Sequence, residues 1–206
     1  MPSPFTIAFT TLLAYLLGGI PFGYWFVRLS SGKDIRTMGS GNIGATNVHR
    51  TAGGKAGVIV LLLDILKGFL AVYLAALLTH SNVLAIAFST IAVVLGHCYP
   101  VFLRFRGGKA VACFVGAFLY VAPFALAIIS ILFVLVVWLS KYISLGSILG
   151  AVLFPLVLWR IYSPSPPILW AALLTCALII YRHKANIVRL ARGQENVFSL
   201  RRSRTP

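Results

Sequence analysis

Long apolar runs separated by short basic loops constrain this chain more than any other feature. The runs fall at 5–27, 56–79, 83–101, 111–122, 124–139, 145–159 and 167–181. A helix needs about 20 apolar residues to cross hydrocarbon, and the long runs approach that length. The stretch 111–139 is interrupted only by Pro123. As one helix it would be about 43 Å long at 1.5 Å per residue, too long without heavy tilt. Charge placement decides between one crossing and two. Arg28, Lys33, Arg36, Arg50 and Lys55 lie in the first loop, Arg104, Arg106 and Lys109 in the third, Lys141 after the fifth run, and seven more between Arg182 and Arg204. With seven crossings, sixteen of the eighteen Lys and Arg fall on one side, leaving Lys67 inside a run and Arg160 opposite. With six, the tail's charges move to the far side, against the positive-inside trend. The expected fold is all-α: a polytopic integral membrane protein with seven transmembrane helices. The fourth and fifth are expected to be short or partly re-entrant, the N-terminus outside and the C-terminus cytosolic.

Composition agrees. Hydrophobic residues make up 60%, charged residues 10%, and mean hydropathy is +0.96, which excludes an ordinary soluble domain. One membrane domain over 1–198 and a basic cytosolic tail over 199–206, touching anionic lipid, are expected. Pro164-Ser-Pro-Pro167 reads as a turn on the outer side, and no signal peptide is expected, since the first run lacks a basic leader. A net charge of +15 raises nucleic acid as a partner, but short loops between apolar runs explain it as membrane topology. Cys98, Cys113 and Cys176 show no CxxC or metal spacing and read as small buried hydrophobes. A thioester nucleophile at Cys98 beside His97 is disfavoured, because adjacent helical residues do not face each other.

Three polar clusters fall on the basic side. The first, Gly39-Ser40-Gly41-Asn42-Ile43-Gly44-Ala45-Thr46-Asn47, contains the letters G-x-G-x-x-G, but no strand or βαβ unit surrounds them, so a dinucleotide fold is excluded. Its glycines, amides and hydroxyls suit a phosphate cradle, to which Arg50 adds a charged fork; the alternative is a plain turn-rich connector. The second runs from His97 to Gly107-Gly108-Lys109 just ahead of an apolar helix. Exposed amides, a helix N-terminus and an ammonium there would attract phosphate. It is no Walker loop, since Leu103 and Ala110 stand where glycine and Ser or Thr are required. His97 alone reads more readily as a hydrogen-bonded structural residue. The third is Tyr181-Arg182-His183-Lys184-Ala185-Asn186-Ile187-Val188-Arg189. A continuous helix would put Arg182, Asn186 and Arg189 on one face at headgroup depth.

Within the second run, Asp64 and Lys67 are three apart and read as a structural ion pair. Gly18-Gly19 and Pro21 predict close helix approach and a kink. With only three acidic residues, paired-carboxylate chemistry and carboxylate metal cages are improbable. No metal and no cofactor are expected. An H-x-x-x-x-D box is absent as well.

These blocks closely resemble the bacterial acyl-phosphate:glycerol-3-phosphate acyltransferase family, PlsY. The resemblance spans nearly the whole chain, including Ile20-Pro-Phe-Gly-Tyr24, Asp64-Ile-Leu-Lys-Gly68 and His183-x-x-Asn186-Ile-x-Arg189. It implies seven inner-membrane helices, an outside N-terminus and a cytosolic active site. The implied reaction moves a fatty acyl group from acyl phosphate to the 1-hydroxyl of sn-glycerol 3-phosphate, the first acylation of bacterial phospholipid synthesis. It assigns catalytic or substrate roles to Ser40, Arg50, Lys109, His183 and Asn186, glycerol 3-phosphate binding to Gly107 and Gly108, and a structural role to Glu195. Gly39, Gly41, Asn42, Thr46, Asn47, His97 and Arg189 complete the expected substrate-binding set. Partners would be the two substrates and membrane lipid, with docking to a soluble acyl-phosphate synthase left open. A good leaving group makes a covalent acyl-enzyme unnecessary. A transporter for a phosphorylated metabolite is the competing reading; the lack of an inverted repeat and the one-sided polar clusters count against it.

Overall fold

The computed structural model describes residues 2–198, among which ten α-helices and two short 3₁₀ turns, Ile35–Thr37 and Val101–Leu103, are found. The helices are α1 Pro4–Gly19, α2 Phe22–Ser31, α3 Ala45–Ala52, α4 Gly54–Leu78, α5 Val83–Cys98, α6 Val111–Val121, α7 Pro123–Ser140, α8 Ile143–Tyr162, α9 Pro166–Arg182 and α10 Lys184–Ala191. The all-α expectation holds for these residues; the 199–206 tail lies outside them.

Five segments are long and apolar enough to cross a membrane: Pro4–Ser31, Gly54–Leu78, Val83–Leu103, Pro123–Ser140 and Ile143–Tyr162. α9 passes only together with α10, from which it is bent by 56°. The fourth run is short, as expected: the 11 residues of α6 span roughly 16 Å, about half the hydrocarbon thickness. The fifth is not, because α7 extends the apolar run at both ends to 18 residues.

The first run is broken where the sequence placed a kink. Pro21 has no amide to donate and holds Ile20 in an extended conformation, φ −59° and ψ 114°. The Ile20 carbonyl receives the Lys67 ammonium at 2.6 Å, and Lys67 also pairs with Asp64 at 2.8 Å. The intramembrane pair therefore props the broken helix, and both side chains are buried.

Glycines let two helix pairs touch backbone to backbone. A Cβ on Gly18 would strike the Val93 carbonyl and one on Gly96 the Tyr15 carbonyl, locking α1 on α5. Gly68 and Gly116 do the same for α4 and α6, against Cys113 and Ile65. In lipid, where apolar burial offers little between helices, such contact drives association. Between α6 and α8, the rings of Phe114, Phe118 and Phe154 pack with centroids 4.6 to 4.9 Å apart.

Candidate active site

The first loop is built around one amide. Asn47, buried on α3, accepts from the Ser40 N–H at 2.9 Å and donates to the carbonyls of Asn42 at 2.8 Å, Met38 at 3.0 Å and Ile35 at 3.4 Å. Asn42 folds back to accept the Gly44 N–H at 2.8 Å. Gly39 takes φ +55°, and a Cβ there would strike Asn47 Oδ1; only glycine fits that turn. The loop's polarity thus largely closes on itself. What it presents outward is Ser40, Thr46, the N-terminus of α3, which has no side-chain cap, and Arg50.

The Gly107-Gly108 turn departs from its expected design. Its amides are not open to a ligand: Gly107 N–H donates to the Cys98 carbonyl at 3.1 Å and Gly108 N–H to the His97 carbonyl at 3.0 Å. The glycines serve close approach instead, since a Cβ on Gly107 would strike the His97 carbonyl and one on Gly108 the His97 ring. The chain then passes through Ala110 at φ 60° into α6, which also starts without a side-chain cap. That left-handed alanine costs about 1 kcal/mol.

The third cluster is bent, not continuous. His183 N–H bonds both Ile179 and Ile180 carbonyls, and its ring Nδ1 lies 2.8 Å from the Ile179 carbonyl. A carbonyl only accepts, so Nδ1 carries the proton and Nε2 is the acceptor in the neutral ring. Bending at His183 separates Arg182 from Asn186 and Arg189, which were expected on one face. Arg182 turns toward the Gly107-Gly108 carbonyls. Asn186 and Arg189 turn toward Glu195.

These pieces form one chain of bonds. Lys109 Nζ donates to Asn186 Oδ1; Asn186 Nδ2 donates to Glu195 Oε1 at 2.8 Å; Arg189 Nε donates to Glu195 Oε2 at 2.8 Å. The partners fix the amide's orientation, because an ammonium can only donate and a carboxylate only accept. Glu195 is delivered by the segment after α10, whose Phe198 N–H bonds the Lys141 carbonyl at 2.8 Å and whose ring packs on His49 at 5.3 Å. Burial pushes the Lys109 ammonium down to about 8; Glu195 draws it up, while Arg189, Arg50 and Arg182 push it further down. Burial likewise lowers Arg50.

All five expected catalytic residues, Ser40, Arg50, Lys109, His183 and Asn186, line a single cavity of about 680 Å³. Asn42, Thr46, Asn47, His97 and Arg189 line it too, whereas Gly39, Gly41, Gly107 and Gly108 shape the loops behind it. At the polar end Arg50, Lys109 and Arg189 outnumber Glu195. The rest of the cavity is an apolar groove from α4, α6, α7 and α8, lined by Val58, Leu61, Phe114, Val115, Ile129, Phe133, Gly150 and Ala151. Sequence reading did not pick out this groove, because each member is one aliphatic or small residue among many in an apolar run. Cys113 is buried in the core, as the sequence suggests, and its Sγ lies 3.4 Å from His97 Nδ1. Asp64, His97 and Cys113 offer donor atoms within 4.8 Å of one another. The Lys67 ammonium already supplies positive charge to Asp64 there.

The chain as a whole, in sequence and in fold, matches known proteins closely. The chain is 45% identical over 188 residues to a glycerol-3-phosphate acyltransferase of Syntrophotalea carbinolica, covering 91% of this chain and 95% of that one. The structure of PlsY (YgiH), an integral membrane glycerol 3-phosphate acyltransferase, in its glycerol 3-phosphate form superposes with a TM-score of 0.89 at 40% identity, covering 94% of this chain and 96% of the other. Its lysophosphatidic acid form gives 0.85 at 38% identity, with the same coverage. The glycerol-3-phosphate acyltransferase family model matches residues 8–193, and the chain belongs to that family of integral membrane acyltransferases.

Proposed function

We propose that the protein transfers a fatty acyl group from acyl phosphate to the 1-hydroxyl of sn-glycerol 3-phosphate, giving lysophosphatidic acid and inorganic phosphate. The observation that carries this reading is the two-ended cavity. Its cation surplus suits two phosphate-bearing molecules, and the attached groove suits an aliphatic chain. Holding both reactants there converts a two-body encounter into a positioned reaction. The glycerol hydroxyl attacks the acyl carbonyl carbon, the bond to the phosphate oxygen breaks, and the phosphate leaves carrying the hydroxyl's proton. His183, with Nδ1 committed to Ile179, accepts from that hydroxyl through Nε2 and passes the proton on to the departing phosphate. Ser40 donates to the acyl phosphate, while Lys109 and Arg50 stabilise the oxyanion and the departing phosphate. Thr46 and the uncapped α3 and α6 N-termini add amide and hydroxyl donors, and Arg189, held by Glu195, adds a further cation. Transfer is direct, with no acyl-enzyme.

The same reading places the protein in the bacterial inner membrane with seven crossings, α6 making the fourth. Two sets of contacts support it. Phe198, Lys141, His49 and the Lys109–Asn186 pair meet at one end of the bundle. Pro2 and Thr6 share a cavity with Leu78, Thr79, His80 and Asn82 in the connection from α4 to α5, and Tyr162 Oη accepts from Phe124 N–H at 3.2 Å. The site end is the cytosolic one, where a soluble acyl-phosphate synthase could deliver the donor.

The test is direct. Purified protein in detergent, given acyl phosphate and glycerol 3-phosphate, should release phosphate and form lysophosphatidic acid in equal amounts. A transporter would release none, and turnover with an acyl thioester in place of acyl phosphate would remove the proposed donor. Isolation of a stable acyl-Ser40 adduct would overturn direct transfer.

A further inference from the structure

Arg182 ends α9 one residue before His183 and has no part in the mechanism above. Its Nε donates to the Gly108 carbonyl at 3.0 Å and its Nη2 to the Gly107 carbonyl at 2.8 Å, while the guanidinium lies over the Tyr99 ring at 5.1 Å. Tyr99 is itself held, its carbonyl accepting from Tyr15 Oη at 2.7 Å. On the opposite face, the amides of Gly107 and Gly108 donate to Cys98 and His97. The Gly107–Gly108 peptide is therefore gripped from both sides, its N–H by His97 and its carbonyl by Arg182, with the outer grip coming from the last residue of α9, next to His183.

We propose that Arg182 is a positioning residue for acyl transfer. Its fork on two consecutive carbonyls sets the register between the 107–110 turn and the α9–α10 bend, so that Lys109 arrives at Asn186 beside His183. The proposal rests on the acyltransferase reading above. Arginine is required because its planar fork matches two adjacent acceptors at once, whereas a lysine ammonium is a point charge on a flexible stem that serves one. Charge alone is not the function, since Lys109, Arg50 and Arg189 already supply it. Misplacement of a charged group by about 1 Å costs about 10²-fold in rate, so a looser grip shows in turnover before it shows in folding.

The experiment compares full-length Arg182→Lys, Arg182→Gln and Tyr99→Leu with wild type in detergent, reading steady-state kinetics and backbone hydrogen exchange. Arg182→Lys and Arg182→Gln are expected to lose about 10- to 100-fold in kcat with KM for acyl phosphate little changed. Exchange should quicken at 107–112 and stay at wild-type rates in α1, α4 and α5. Tyr99→Leu keeps both hydrogen bonds and removes only the supporting ring, so it should give a smaller change in the same segment; it also carries the test if the Arg182 variants do not fold. Full kcat in Arg182→Lys would overturn the proposal. So would reduced kcat with unchanged exchange at 107–112, or faster exchange throughout the chain. A wild-type protein that releases no phosphate would instead sink the acyltransferase reading, and the exchange comparison would still report on the grip.

Discussion

Lys109 is a cation whose charge lies within reach of ordinary assay conditions. Its ammonium is lowered to about 8, chiefly by burial, and the proposed chemistry needs it charged. For a cation with a lowered pKa, the useful form is present below that value and lost as pH rises through it. Log kcat/KM for glycerol 3-phosphate should therefore fall above about pH 8, a limb that reports the free enzyme. Glu195 is the neighbour that draws Lys109 upward, so Glu195→Gln, which keeps the shape, should move this alkaline limb to lower pH. A limb that stays in place in that variant would mean another group titrates. Lys109→Gln should cost about 10²- to 10³-fold in kcat, the usual loss for one oxyanion-stabilising donor. Asn47 makes a different prediction, because it touches loop backbone on four sides. Asn47→Ala orphans several of those groups and should cost about 2–4 kcal/mol of stability. A thermal melt would show the loss, and Ser40, whose amide Asn47 holds, would lose its place along with kcat.

At the scale of helices, the groove is set by what α8 leaves out. Gly146, Ser147, Gly150 and Ala151 line the cavity with small side chains, and beside Ala151 the Phe114–Phe118–Phe154 cluster closes the core. Ala151→Leu should shorten the groove. Each methylene of chain that loses its place forfeits about 0.8 kcal/mol, so kcat/KM for long acyl phosphates should drop while that for short ones holds; equal losses for both would refute the groove as the acyl site. No sequence pattern could have named these residues, since Gly, Ala and Ser recur through every run and only packing separates a helix contact from a groove wall. The polar clusters were legible for the opposite reason. In a chain this apolar, Ser40, Arg50, Lys109, His183 and Asn186 stand out, and a position in a basic loop or at the end of a run already assigns each to one side of the membrane. Their internal wiring was not legible. Asn47 closes its own loop, Gly107 and Gly108 turn their amides inward, and the helix bends at His183; each depends on which local hydrogen bonds form, a choice that residue type and spacing do not encode.

For the whole molecule, parity ties the local chemistry to the membrane. The loop before α4, the turn before α6, Lys141 and the segment ending at Phe198 converge on one end of the bundle, and the chain's Lys and Arg concentrate in these same connections. A bilayer retains such loops on its cytosolic side, because moving a cluster of Lys and Arg across costs more than leaving it. On the proposed topology, substrates made in the cytosol would meet the cation surplus directly, while the product's chain would already lie in hydrocarbon. α6 is the weak point of this topology: 11 residues cannot span the core alone, so its far end must rely on Pro123 and α7 to complete the turn inside the bilayer. If α6 crosses, a compartment-sensitive reporter fused after Pro206 reads cytosolic, and one inserted near Ser163 reads external. If α6 and α7 instead form a single crossing, both assignments invert, Lys141 and Phe198 move to the far face together, Lys109 parts from Asn186, and the two halves of the site lie on opposite faces of the membrane.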